Sequence, residues 1–342
     1  MLLMKVVMVW LPLCGLGIVG QEKGNGAFPI APGLSWTYYI NACPALEPLV
    51  QEKIASILSQ DVTLAPAILR LQFHDCFVLG CDASILLARS EEQDAAPNLT
   101  LRREAFQLIS EIKSLVDAHC GVVVSCADIL ALAARDSVYQ VGGPFYPVPL
   151  GRKDSLVAAN TSTTLANIPS PNFTVPSLIA AFASKGLNAH DLVSLSGAHT
   201  IGVAHCSSFT NRLYPQLDPT LLPSYSTFLY AKCPSVNSTN TTAMDRYTPY
   251  WFDNKYYVEL LNYEGLFTSD EDLYMNNTTR PLVESFSNQQ ALFFEEFAWG
   301  MVKMSQLHVL TGPSGEIRGN CSMNNPVLYI NVPSKSSPNR VQ

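Results

Sequence analysis

The sequence predicts a mostly α-helical molecule with very little β structure. Apolar residues recur at helical spacing along most of the chain. Period-2 alternation, the mark of a half-buried strand, is sparse. Residues 126–138, CADILALAARDSV, are rich in Ala and Leu, the composition of a buried helix. Of the 342 residues, 48% are hydrophobic and 14% charged, which excludes intrinsic disorder, coiled coil and collagen. Acidic residues number 28 against 21 basic ones and no long basic block occurs, which argues against a nucleic-acid partner. The length suits about two domains of ~150 residues, or one domain built as two halves around a site.

In chain order, the first element is a targeting segment. Lys5 precedes an apolar run, residues 6–19, that ends in small residues at Val19 and Gly20. At about 14 residues the run is shorter than the ~20 that cross a bilayer. Residues 1–20 therefore read as a secretory signal peptide, with a membrane anchor as the alternative. Removing it takes away Lys5 and Cys14, moving the net charge from −7 to −8 and the cysteine count from nine to eight. An even number of cysteines in an exported chain reads as disulfides, and sequence alone leaves their pairing open. Sequons at Asn98, Asn160, Asn172, Asn237, Asn240, Asn276, Asn277 and Asn320 agree with export; the pair at Asn237 and Asn240 marks an exposed glycosylated loop. No second long apolar run follows, so the mature form is expected to have no membrane span.

Helices are then predicted over 46–58, 64–77, 106–120, 126–138 and 175–184, the last with Thr174 as N-cap. An apolar stretch over 191–205 is broken by Gly197 and Gly202. Further helices are predicted over 252–263 and 281–307, where Phe293, Phe297, Met301 and Met304 form one core stripe. Residues 143–148 suggest a short hairpin arm. Stretches 160–172 and 217–250 read as loops within one domain rather than linkers, because apolar helical runs flank both. The domain is expected over 21–325. The tail over 326–342, with Pro, Ser and Asn, is expected to be disordered, removed or a sorting extension.

Three constellations carry chemistry. In LRLQFHDCF, Arg70, Phe73 and His74 fall at i, i+3 and i+4 and share one helix face. Arg70 would lower the imidazole pKa by like-charge repulsion, keep it a free base and offer a cation to a developing anion. A solvated surface pair is the plain alternative. In DCFVLGCDAS, residues 75–84, two carboxylates, a hydroxyl and a glycine turn can present oxygens to a hard cation such as calcium, which takes roughly six to eight. Cys76, Cys81 and His74 as zinc ligands are the alternative, with a disulfide favoured in an exported chain. In LSGAHTIG, residues 195–202, His199 lies between small residues that would let a flat ligand approach. Neutral imidazole is the common axial ligand of haem iron; a core histidine bonded to a carbonyl is the plain reading. His119, His190, His205 and His308 have no comparable setting and read as structural or surface residues.

FHDCF with Arg70 four residues before the histidine, SGAHTIG and the eight-cysteine spacing together resemble the secretory plant peroxidases, the class III haem peroxidases. APNL (96–99), VVSCADILALAARDSV (123–138), PLGRKDS (149–155), FDNKYY (252–257), GLFTSDEDL (265–273) and GEIRGNC (315–321) extend the resemblance, in order, from about Trp36 to about Ser322. It implies a two-lobed helical fold with haem between distal and proximal halves. It implies one haem b, held without covalent attachment since no C-x-x-C-H occurs, and two calcium ions. The implied reaction uses hydrogen peroxide to oxidise small phenolic donors in two one-electron steps.

Residue by residue, the resemblance makes His199 the proximal iron ligand and Asp270 the carboxylate accepting its other ring N–H. His74 becomes the distal base, Arg70 the cation that stabilises the separating O–O bond, and Asn98 the acceptor that fixes the His74 tautomer. A buried Asn98 would escape glycosylation. Pro169 matches the residue whose carbonyl positions aromatic donors. Asp75, Val78, Gly80, Asp82 and Ser84, with Glu92 through water, match one calcium site; Thr200, Asp245, Thr248, Trp251 and Asp253 match the other. The implied disulfides are Cys43–Cys120, Cys76–Cys81, Cys126–Cys321 and Cys206–Cys233, and Asp128 and Arg152 match a buried ion pair. Three positions depart from the family pattern: apolar Leu79 in the first calcium loop, residues 102–106 at a helix entry, and Asn172, which would make the donor pocket more polar. A secreted monomer, in the cell wall or in the vacuole, is implied. Two other classes of protein predict different residues. A non-enzymatic wall glycoprotein would have lost His74, Arg70 or His199, and a zinc hydrolase needs free thiols or a cluster such as H-E-x-x-H, which is absent.

Overall fold

The computed structural model describes residues 30–326; the predicted signal peptide and the tail from 327 onward lie outside the described residues. The chain divides after Ile30, and every element belongs to the unit that begins at Ala31. Its first group of helices is α1 (Leu46–Leu58), α2 (Leu64–Val78), the single turn α3 (Glu91–Asp94), α4 (Arg103–Cys120) and α5 (Cys126–Gln140). In α5 every residue from Cys126 to Val138 is buried, because α1, α2 and α4 all pack on it. Its alanines permit that close approach, and each fully buried Leu or Ile contributes roughly 1.5–3 kcal/mol. The helix starts under firm control. Ser125 Oγ accepts the Asp128 N–H at 3.1 Å, and the Asp154 carboxylate accepts the Cys126 and Ala127 N–H groups at 3.1 and 2.9 Å. Negative charge at an N-terminus favours the helix. The predicted ion pair Asp128–Arg152 is present at 2.7 Å with both side chains fully buried. Gly151 N–H and Tyr39 O–H also donate to Asp128, so this pair has the hydrogen bonds that burial of charge requires.

After α6 (Thr161–Asn167), the second group comprises α7 (Val175–Ala183), α8 (Ala189–Ser196), α9 (Pro223–Lys232), α10 (Lys255–Leu261), α11 (Thr268–Met275), α12 (Arg280–Asn288) and α13 (Gln290–Met304). Here α8 packs on α13 and α7, while α12 packs on α10, α11 and α13. The expected stripe of Phe293, Phe297, Met301 and Met304 is buried along α13. Among the described residues the only sheet is a pair of three-residue strands, β1 (Val203–His205) and β2 (Thr241–Ala243). They run antiparallel with Val203 opposite Ala243 and His205 opposite Thr241. The mostly helical expectation therefore holds.

Several local expectations do not. Residues 143–148 form no hairpin arm; the nearby pairing consists of isolated bridges such as Ser35–Leu150 and Asp154–Glu316. The expected long helix over 281–307 is two helices broken at Gln289, whose backbone (φ −135°, ψ 85°) leaves the helical region. The stretch 217–250, which the sequence predicts as loop, contains α9 and β2, and 160–172 contains α6. Thr174 precedes α7 in extended conformation without a side-chain cap; Asp272 of α11 instead accepts the Val175 N–H at 2.6 Å.

Candidate active site

α2 carries Arg70, Phe73 and His74 to a cavity of about 400 Å³. His199, in the turn that follows α8, and Pro169 line the same cavity. Its walls are otherwise largely apolar, with Leu69, Phe182 and Met301 among them. His74 is buried, and its Nδ1 lies 2.5 Å from Asn98 Oδ1, while Asn98 Nδ2 donates to the Glu92 carbonyl at 2.6 Å. That second bond orients the Asn98 amide with its oxygen toward the ring, so Nδ1 carries the proton. Nε2 is then an acceptor, and Arg70 Nε donates to it at 3.2 Å. Burial first, and the Arg70 charge second, push the His74 pKa down to about 3. The sequence reading named only the charge; the loss of water is the larger cause. Arg70 lies deep in the molecule yet is exposed, because what it faces is the cavity. Its Nη2 donates to the Pro97 carbonyl at 2.9 Å and to Thr100 Oγ1 at 3.0 Å.

On the second histidine, Nδ1 lies 2.8 Å from Asp270 Oδ1. Asp270 is itself buried and held by the Tyr256 O–H and the Phe267 N–H, both at 3.0 Å. The rings of Tyr256 and Phe267 stand edge-on to the imidazole, with centroids 5.9 and 5.5 Å away. His199 Nε2 has no partner among the described residues. Two imidazoles with fixed Nδ1 partners on one apolar cavity fit a haem, whose iron a neutral imidazole nitrogen would hold. Gly197 does not serve the approach of a flat ligand, as the sequence suggested. A Cβ there would lie 2.4 Å from Phe293 and 2.5 Å from Tyr257 Oη, so its smallness admits α13 and α10. Sequence reasoning assigned no role to Tyr256 and left His205 among structural or surface residues; His205 lines the cavity at the end of β1. Its position just after the proximal motif was the available signal. Asn172 is exposed and lies off the cavity wall, so it adds no polarity there.

The distal cation candidates gather around the end of α2. Gly80, at φ +133°, makes the turn after Val78 and Leu79, and a Cβ on it would meet the His308 carbonyl at 2.6 Å. Apolar Leu79 keeps helical backbone angles and does not disturb this turn. Asp75 Oδ2 accepts the Ala83 N–H at 3.1 Å, while Asp75 Oδ1 is buried with no partner. Ser84 N–H donates to Asp82 Oδ1 at 3.0 Å, and Ser84 Oγ to Glu92 Oε1 at 3.3 Å. Burial pushes Asp82 up to about 6 and Glu92 up to about 7; burial and then Asp82 raise Asp75. An orphaned carboxylate oxygen amid poorly hydrated carboxylates fits a hard cation.

In the proximal set, Thr200 Oγ1 lies 3.1 Å from Asp245 Oδ2 and 3.3 Å from Asp253 Oδ1. Thr248 Oγ1 donates to Asp245 Oδ2 at 3.2 Å, and the Trp251 N–H to the Thr248 carbonyl at 3.0 Å. Burial raises the Asp245 pKa. No three His, Cys, Asp or Glu side chains converge as a metal cluster among the described residues, so a cation here would need hydroxyl and carbonyl oxygens as well. All four implied disulfides are formed, Cys43–Cys120, Cys76–Cys81, Cys126–Cys321 and Cys206–Cys233, which removes Cys76 and Cys81 as zinc ligands.

The comparisons agree with this geometry. The peroxidase family model matches residues 50–289. The chain is 53% identical to Peroxidase 12 of Arabidopsis thaliana, over 92% of this chain and 89% of that protein. It is 51% identical to Cationic peroxidase SPC4 of Sorghum bicolor, over 87% and 83%. With Peroxidase 3 of Arabidopsis thaliana it shares 44% identity, over 91% and 95%. Two such histidines on one cavity and matches over most of its length make this chain a member of the peroxidase family, among the plant class III haem enzymes that use hydrogen peroxide to oxidise donors.

Proposed function

We propose that residues 21–325 act as one haem peroxidase domain that holds one haem b without covalent attachment and two calcium ions, and oxidises small phenolic donors. His199 Nε2 would hold the iron, and Asp270, by accepting the Nδ1–H hydrogen bond, would raise that ligand's basicity. The bound haem supplies the iron at which peroxide is reduced and donors are oxidised in two one-electron steps. His74 Nε2 takes the proton of incoming hydrogen peroxide and returns it to the oxygen that leaves as water, a role typically worth roughly 10²–10⁴-fold. Asn98 keeps Nε2 free for that proton, and Arg70, which shares Nε2 at rest, turns its charge to the separating oxygens. Pro169 offers its carbonyl to aromatic donors at the cavity. Asp75, Val78, Gly80, Asp82, Ser84 and Glu92 serve one calcium; Thr200, Asp245, Thr248, Trp251 and Asp253 serve the other. The observation that carries this reading is the pair of imidazoles on one cavity, each with its Nδ1 tied. Export as a monomer, to the wall or the vacuole, belongs to the same proposal; no helix among the described residues is long and apolar enough to cross a membrane.

The test is the visible spectrum of the purified protein, then peroxide-dependent oxidation of a simple phenol. His199→Ala is expected to lose haem retention. A protein that shows no haem absorption after reconstitution, or a His199→Ala variant that holds haem as tightly as the parent, defeats the assignment.

A further inference from the structure

Ala83 sits at φ 57°, ψ 22°, a left-handed conformation that a residue with a Cβ rarely adopts. It lies between Asp82 and Ser84, so this turn decides whether both can face one cation. The groups that hold it come from far along the chain. Arg318 is fully buried, and its Nη1 donates to the Ala83 carbonyl at 2.9 Å and to the Cys321 carbonyl at 2.9 Å. Its Nη2 donates to the Ser155 carbonyl at 2.7 Å, and the Ser155 N–H donates to the Asp82 carbonyl at 2.7 Å. The peptide units on both sides of the Ala83 Cα are thus gripped, one by Arg318 directly and one through Ser155. None of the Arg318 hydrogen bonds goes to Asp75, Asp82 or Glu92. Its Nη1 and Nη2 groups meet carbonyls, while Nε is buried without a partner, so the guanidinium stays outside the cation's oxygen set and acts through the backbone. A planar guanidinium can reach three carbonyls from three segments at once; an ammonium of equal charge lacks that fork.

We propose that Arg318 is a positioning residue for the distal calcium loop: it clamps the left-handed turn at Ala83 so that Asp82 and Ser84 are pre-arranged for the ion. This rests on calcium binding at residues 75–92. The alternative, that Arg318 matters only as a charge, predicts no change when a lysine keeps that charge.

The experiment follows calcium release from the haem-loaded protein into a fluorescent chelator, for the parent, R318K, A83G and the double variant. R318K keeps the charge and loses the fork. It is expected to release calcium about tenfold faster, the scale of one strained backbone residue. Gly adopts the left-handed turn freely, so A83G is expected to release no faster than the parent, and the double variant to return to within about twofold of it. R318K releasing at the parent rate, or a double variant as fast as R318K, overturns the proposal. If R318K alone does not fold, the double variant is expected to recover folded, calcium-loaded protein; its failure also overturns it. A parent that holds no calcium overturns the calcium reading and this proposal together. A calcium-loaded parent with an unaffected R318K overturns the proposal alone.

Discussion

Burial keeps the His74 ring unprotonated, and Asn98 ties its other nitrogen, which suits it to the proposed role of base. Asn98 links its ring to the Glu92 carbonyl, and so to the distal loop. Asn98→Ala is expected to keep haem but slow the peroxide-driven spectral change by about 10–100-fold, the usual loss for a partner that orients a functional histidine. Stopped-flow absorbance checks it; an unchanged rate removes Asn98 from its role. At this scale the sequence was legible where a polar residue stood in an apolar helix, as Arg70 and His74 do, or in a motif, as His199 does. It was silent on Arg318, quoted only within GEIRGNC, because charge in a sequence reads as surface. It misled on Gly197 for a different reason: a missing side chain is explained by its neighbours, and Phe293 and Tyr257 are distant in sequence.

That glycine sets the next scale, since α8, α10 and α13 meet around it. Gly197→Ala is expected to destabilise by about 1–3 kcal/mol through overpacking against Phe293 and Tyr257. A thermal melt measures this, and an unchanged midpoint contradicts it. Long helices with a clear apolar period, α1, α2, α4, α5 and α13, were legible because burial imposes that period on the sequence. β1 and β2 were not, since three residues are too few to show alternation, and Thr241 and Thr242 sit among Asn and Ser that signal turns. The break at Gln289 was hidden because it carries no Gly or Pro, and the apolar pattern runs on across it. α6 and α9 are short and lie in polar surroundings, where tertiary contacts rather than periodicity decide.

For the whole molecule, buried carboxyls govern the response to pH. Burial pushes Glu271 up to about 8, against the lowering influence of Arg212 and the Gly265 N–H, with Asp270 and Asp218 adding to the rise. Folded, this carboxyl keeps its proton until about pH 8, whereas in the unfolded chain it releases it near 4.5. The folded state therefore binds more protons, and stability falls as pH rises from about 4.5 to 8. Glu271→Gln is expected to flatten that slope, read from melting midpoints across the range; an identical slope rules Glu271 out as a source. Glu259, pushed up to about 9, would sustain part of the fall. The clamp on the distal loop also has a consequence for assembly in time. Cys321 is made 195 residues after its partner Cys126, and Arg318 235 residues after the Ala83 carbonyl it holds. A ribosome delivers α1, α2 and α5 long before either residue emerges. The distal helices must then wait, their loop unclamped and the disulfide at the start of α5 open, until residues 318–321 have been made. A cation-ready loop thus depends on a segment made far later than the loop itself, and chains halted before Arg318 are expected to lack it.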